Sequence, residues 1–178
     1  WHPAHNVMDT FTTDATGPVT LPESLVPGTY YVRETSAKEP YLVGGEIEVN
    51  IPADINLTPV AIVSYYDRAA TGNIRIVKTD AVDGSSLAGA ICDIVRPDGS
   101  IAALDGETVA TVTTDETGEA RADDLPLGSG TARYEVVETQ APTGFLLDRT
   151  HHIVDLTYAD QKTPVVEARL NVSDDYTK

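Results

Sequence analysis

Short stretches with apolar residues at every second position dominate the chain. GNIRIVKTD (72–80), AGAICDIV (88–95), ETVATVTTD (107–115), ARYEVVET (132–139), HHIVDLTYA (151–159) and VVEARLNVS (165–173) are of this kind. Many of their apolar positions are β-branched, and a period of two places them on one face of a strand. Helical spacing is poor throughout, since Gly, Pro or a turn cluster interrupts every candidate stretch. The turns Asp83-Gly84, Pro97-Asp98-Gly99, Asp105-Gly106 and Thr117-Gly118 separate the strands at short intervals. Strands and turns at this spacing predict an all-β sandwich.

The pattern occurs twice. TTDATG (12–17) matches TTDETG (113–118), Tyr30–Thr35 matches Tyr134–Thr139, and Ala37 and Tyr41 match Ala141 and Phe145. AIVSYYD (61–67) aligns with ARLNVSDD (168–175), which sets Asp67 opposite Asp174. Such a repeat predicts two copies of one β-sandwich module. We place module one at 1–70 and module two at 71–178. WHPAHN (1–6) reads as the counterpart of the VRPDG that follows the second strand of module two. Module one would then lack its N-terminal strands, including any lysine equivalent to Lys78. An incomplete sheet has an open edge, so additional pairing or a local rearrangement is expected there.

Against this pattern three polar residues are out of place. Ile74, Ile76 and Lys78 share a face, as do Tyr134, Val136 and Glu138, and Ala168, Leu170, Val172 and Asp174. Each stripe carries an ionisable group toward the core. One unpaired buried charge is costly, so the three are expected to meet. A buried ion pair, or a lysine reaching out to solvent, is one outcome. Bond formation is the other. Desolvation lowers an amine pKa and raises a carboxylic acid pKa, a neutral amine is a nucleophile, and Glu138 is placed to shuttle the protons. The product is a Lys78–Asp174 isopeptide bond, formed without cofactor or metal because proximity drives it.

Composition narrows the alternatives. The 178 residues carry 28 acidic and 12 basic side chains, a net charge of −16, which disfavours nucleic-acid binding. The single cysteine, Cys92, cannot form an intrachain disulfide and reads as a small buried hydrophobe. No apolar run reaches the length of a membrane span. His151 and His152 are adjacent in a strand and face opposite ways, so they make poor joint metal ligands. His2 and His5 read as part of a terminal loop. Neither a Ser-His-Asp spacing nor a phosphate loop occurs, so no enzyme acting on external substrate is expected.

The ordered motifs Lys78-Thr79-Asp80, Gly84-Ser85-Ser86-Leu87-Ala88-Gly89-Ala90, Thr114-Asp115-Glu116-Thr117-Gly118 and Tyr134 through Phe145 resemble the collagen-adhesin B-type domains. These are also called SpaA-like or prealbumin-like domains, and they occur in Gram-positive pilins and surface adhesins. The resemblance covers nearly all of module two and the later part of module one. It implies a first-strand lysine, Lys78, joined to an Asn or Asp of the last strand with Glu138 assisting. Asn171, Asp174 and Asp175 are available as acceptor. Asn171 alternates away from Leu170 and Val172, which favours Asp174. Module one keeps Glu34 and Asp67 but has no matching lysine; Lys38 falls in a loop, so no intact bond is expected within module one. The resemblance further implies an extracellular stalk or shaft whose partners are neighbouring modules of the same surface protein. The alternative is an adhesin module gripping a host protein or glycan.

Overall fold

The computed structural model describes residues 6–21, 24–54, 60–96 and 106–176. His2, His5 and most of WHPAHN, and the Pro97-Asp98-Gly99 turn, lie outside the described residues. The described residues form nine strands: β1 (Gly28–Arg33), β2 (Glu46–Ile51), β3 (Thr71–Asp80), β4 (Ile91–Arg96), β5 (Glu107–Thr113), β6 (Glu119–Pro126), β7 (Thr131–Gln140), β8 (His151–Thr157) and β9 (Val165–Asp174). No helix among the described residues is long and apolar enough to cross a membrane.

The chain divides into two compact units. The described residues of Trp1–Val32 and Ile47–Val63 form one, and those of Arg33–Glu46 and Ser64–Lys178 form the other. In the first unit the principal feature is the sheet made by β1 and β2.

The second unit holds the expected sandwich. One sheet has the order β6-β3-β9 and the other β5-β4-β7-β8. β3 runs antiparallel to β6 and parallel to β9, while β4 pairs antiparallel with β5 and β7, and β7 with β8. The alternating stripes meet between the sheets. Ile74 and Ile76 from β3, Ala120 and Ala122 from β6, Cys92 and Ile94 from β4, Tyr134 and Val136 from β7, and Val154 and Leu156 from β8 are buried in one cluster. Ala168 and Leu170 of β9 pack against it.

The TTDETG motif forms the turn that enters β6. Asp115 Oδ1 accepts from the Thr117 amide at 2.8 Å, the Thr117 hydroxyl at 2.6 Å and the Glu119 amide at 3.1 Å. Gly118 has a φ of +75° and presses on the strand that carries the lysine. A Cβ there would come within 2.5 Å of the Lys78 carbonyl oxygen, so both the conformation and the space require glycine. The Lys78 amide donates to Gly118 O at 2.8 Å. The earlier copy, TTDATG, forms the same turn. Asp14 Oδ1 accepts from the Thr16 amide and hydroxyl, and Gly17 has a φ of +86°.

Candidate functional site

Lys78 is near the end of β3, Asp174 is the last residue of β9, and Glu138 faces them from β7 in the opposite sheet. In the parallel β3–β9 ladder Lys78 lies beside Val172, and Asp174 beside Asp80. The lysine therefore leans two positions along the strand to reach the aspartate. Its Nζ is 2.6 Å from Asp174 Oδ1 and 3.0 Å from Glu138 Oε1. All three residues are buried, at 1% exposure for Lys78, 2% for Asp174 and 6% for Glu138. The contacts are close but poorly angled: Glu138 Oε1 and both Asp174 oxygens accept no well-formed hydrogen bond among the described residues. Removing the ammonium would leave these buried oxygens with no cation beside them.

The protonation of the cluster differs from the sequence expectation in one respect. Burial pulls the Lys78 amine down, as expected, but the close Asp174 and Glu138 carboxylates outweigh it, and the net direction is upward. Glu138 goes up as well. Burial is the main cause, opposed by the Asp148 amide and by Lys78. Two carboxylates and one ammonium carry a net negative charge that a dry core disfavours. Uptake of one proton by a carboxyl neutralises the cluster. Once it is neutral, an uncharged amine needs only a proton shift within the cluster, not release of a proton to solvent.

The other candidates are elsewhere. Asn171 is exposed on the outer face of β9, beside Val77, and its Oδ1 accepts from Arg169 Nε at 3.0 Å. Cys92 is buried next to the cluster, opposite Glu138 in the β4–β7 ladder, and burial pushes its thiol up to about 11. A thiol so disfavoured as thiolate is not a nucleophile near neutral pH. His151 Nδ1 lies 2.9 Å from Glu135 and His152 Nε2 lies 2.7 Å from Asp148, on separate partners.

Glu34 repeats the environment of Glu138 on one side only. Glu138 Oε2 accepts from the backbone amide of Asp148, ten residues on, at 2.7 Å. Glu34 Oε2 accepts from the backbone amide of Gly44, also ten residues on, and Tyr65 packs over that glycine. Among the described residues no ion pair reaches Glu34; Asp67 and Lys38 are exposed.

Two functional residues carried no periodic signal in the sequence. Asp148 and His152 belong to the loop leading into β8 and to its start. Asp148 Oδ1 accepts from the Thr150 amide at 2.9 Å while Oδ2 meets His152 Nε2, and this closed turn aims the Asp148 amide at Glu138. Burial works to raise the Asp148 carboxyl, but hydrogen bonds from His152 and Thr150 prevail and hold it at about 2. A carboxyl depressed on folding stabilises above its unfolded pKa and loses that effect as pH falls through the folded one. Asp148→Ala is therefore expected to cost about 1 kcal/mol at neutral pH, allowing for solvent screening. The difference from the parent should shrink as pH drops from about 4 to about 2. Urea unfolding at a series of pH values measures it.

A family model described as SpaA, prealbumin-like fold domain, matches residues 3–64 and 72–171. The chain belongs to this family. Among solved structures, the Bacillus anthracis TIE protein superposes on the prealbumin-like chain with a TM-score of 0.67 at 23% identity, over 93% of this chain and 28% of its own. The chain thus spans under a third of that protein, and the likeness is one of fold. The group B streptococcus pilus 2b backbone protein superposes with a TM-score of 0.47 at 21% identity, over 91% of this chain and 53% of its own. The major pilin SpaD from Corynebacterium diphtheriae gives 0.42 at 27% identity, over 61% and 30%. No curated protein matches this prealbumin-like chain in sequence.

Proposed function

We propose that the chain is a pair of structural modules, meeting near residue 70, from the stalk or shaft of a Gram-positive cell-surface protein. On this reading module two locks itself with an isopeptide bond between Lys78 and Asp174. The observation that carries it is the 2.6 Å approach of Lys78 Nζ to Asp174 with Glu138 alongside, all three buried in the sandwich. Membership of the prealbumin-like family supports a role outside the cell among neighbouring modules.

In the bond-forming step Asp174 is protonated and Lys78 has passed its proton to Glu138. The Nζ lone pair attacks Asp174 Cγ. Glu138, now protonated, gives its proton to the departing Asp174 oxygen and then takes the excess proton from nitrogen. The C–O bond breaks, an N–C bond replaces it, and one water leaves. Positions fixed by two strands of one sheet replace the encounter of free reactants. The step happens once per chain, so Glu138 assists a maturation and does not turn over.

Intact mass tests the reading. The parent is expected to weigh one water less than its sequence, and Glu138→Ala to recover the full mass. Asn171→Ala should retain the deficit, since its side chain points away from the lysine. A parent of full mass, or a deficit of one ammonia in place of water, would overturn the Lys78–Asp174 assignment.

A further inference from the structure

One end of module one and the corresponding end of module two share the same backbone pairing. The Tyr41 amide donates to Lys38 O at 2.8 Å, and the Phe145 amide to Pro142 O at 3.0 Å. The Leu42 amide donates to Arg68 O at 2.9 Å, and the Leu146 amide to Asp175 O at 2.8 Å. Isolated bridges join Tyr41 to Ala69 and Phe145 to Tyr176. Residues 37–43 and 67–69 thus correspond in sequence and in structure to 141–147 and 174–176. This is the same alignment that sets Asp67 opposite Asp174.

The two ends differ in what covers them. The module-one end lies within the second compact unit and is docked on the loop between β8 and β9. The Val43 amide donates to Gln161 O at 3.1 Å, and Gln161 Nε2 donates to Ala37 O at 2.6 Å. The Tyr158 hydroxyl donates to Tyr41 O at 3.3 Å, and the Leu42 side chain packs against the core of module two. At the module-two end the equivalent leucine, Leu146, is 51% exposed, with Tyr176 at 49% and Val82 at 76% beside it. Together with Asp175 these residues line an open cleft.

We propose that this end of module two is a docking face for a further module of the same kind. The partner would present its own counterpart of the Tyr158–Lys162 loop. Leu146 then packs against the partner's core as Leu42 packs against that of module two. The Leu147 amide donates to the partner's equivalent of the Gln161 carbonyl, and Ala141 O accepts from the equivalent glutamine side chain. The contact joins unlike surfaces, so each docked module exposes a fresh face and the arrangement adds modules in one direction. This inference rests on the reading of the chain as tandem structural modules, but not on the isopeptide bond.

The test extends the full chain. Residues 1–176 are followed directly by a second copy of 70–178, which repeats the existing junction, and amide hydrogen exchange is compared with the unextended chain. The Leu147 amide is expected to exchange at least about tenfold more slowly in the extended chain, with the Val43 amide as the internal reference. Leu146→Ser in the extended chain should return Leu147 to fast exchange while the Ile76 amides of both copies stay protected. Equal exchange at Leu147 in both chains, or protection that survives Leu146→Ser, overturns the proposal. Should the appended Ile76 be unprotected, the same comparison is made with the copy starting at Thr71 after Lys178. The intact-mass result is independent: a water deficit with no protection at Leu147 rejects the docking face alone.

Discussion

Pulled from its two ends, module two of the parent chain is expected to show no unfolding step. The reason is the parallel pairing of β3 with β9. Force enters at Thr71 and leaves after Asp174, so without a covalent link it shears the whole ladder between the two strands. A Lys78–Asp174 amide reroutes the load. It then runs from residue 71 to 78, crosses the amide and exits at 174, and everything in between is bypassed. In Lys78→Ala the bypassed segment, about 95 residues, is released and adds contour length on the order of 30 nm. Single-molecule stretching with handles at both ends distinguishes the two. A step of that length in the parent would mean that the strands are held by hydrogen bonds alone. Position matters as much as chemistry here: a bond at the start of the two strands would leave β9 in the load path.

Much of this arrangement was legible in the chain, and the reason is periodicity. A period of two assigns every second residue to the core whatever its polarity, so Lys78, Glu138 and Asp174 were directed inward by their apolar neighbours before any contact was known. The same rule holds in β4. In β4 the inward positions are Cys92, Ile94 and then Arg96, which is fully buried. Arg96 Nη1 donates to the Tyr134 hydroxyl at 2.5 Å and to Pro126 O at 3.0 Å, and its guanidinium lies 4.8 Å from the Tyr134 ring centre. The alternation pointed to it, but the turn signal of the following Pro-Asp-Gly masked the strand's last position. β6 carries little strand signal, for a different reason. EARADDLP reads as an acidic loop, because its inward residues are small alanines and Asp124, at a φ of +56°, breaks the alternation before Leu125. Which strands become neighbours is not a periodic property: the resemblance alone brings the first strand to the last, and their parallel register comes from the structure. The same is true of Asp148 and His152, which act through a turn. The direction of the Lys78 amine depends on a balance between burial and two carboxylates at known distances, and only coordinates supply those distances.

Lys78→Ala should lower the melting temperature by on the order of 20 °C or more. Two losses combine. The proposed amide between residues 78 and 174 would close a loop of roughly 100 residues, and a crosslink of that span restrains the unfolded chain by about 4.7 kcal/mol in the chain-entropy treatment. For a domain of this size each kcal/mol corresponds to about 4–8 °C. The second loss is electrostatic. Without the amine, Glu138 and Asp174 are buried with no cation beside them, and Glu138, already raised by burial, loses the lysine that pulled it down. A carboxyl whose folded pKa lies above its unfolded value contributes stability below the unfolded pKa and loses it as pH rises through the folded one. The variant should therefore melt higher as the buffer moves from neutral to mildly acidic, opposite to the acid sensitivity caused by Asp148. Scanning calorimetry across that range reads both effects. A Lys78→Ala protein that melts within a few degrees of its parent would show that neither the bond nor the charge balance stabilises the module.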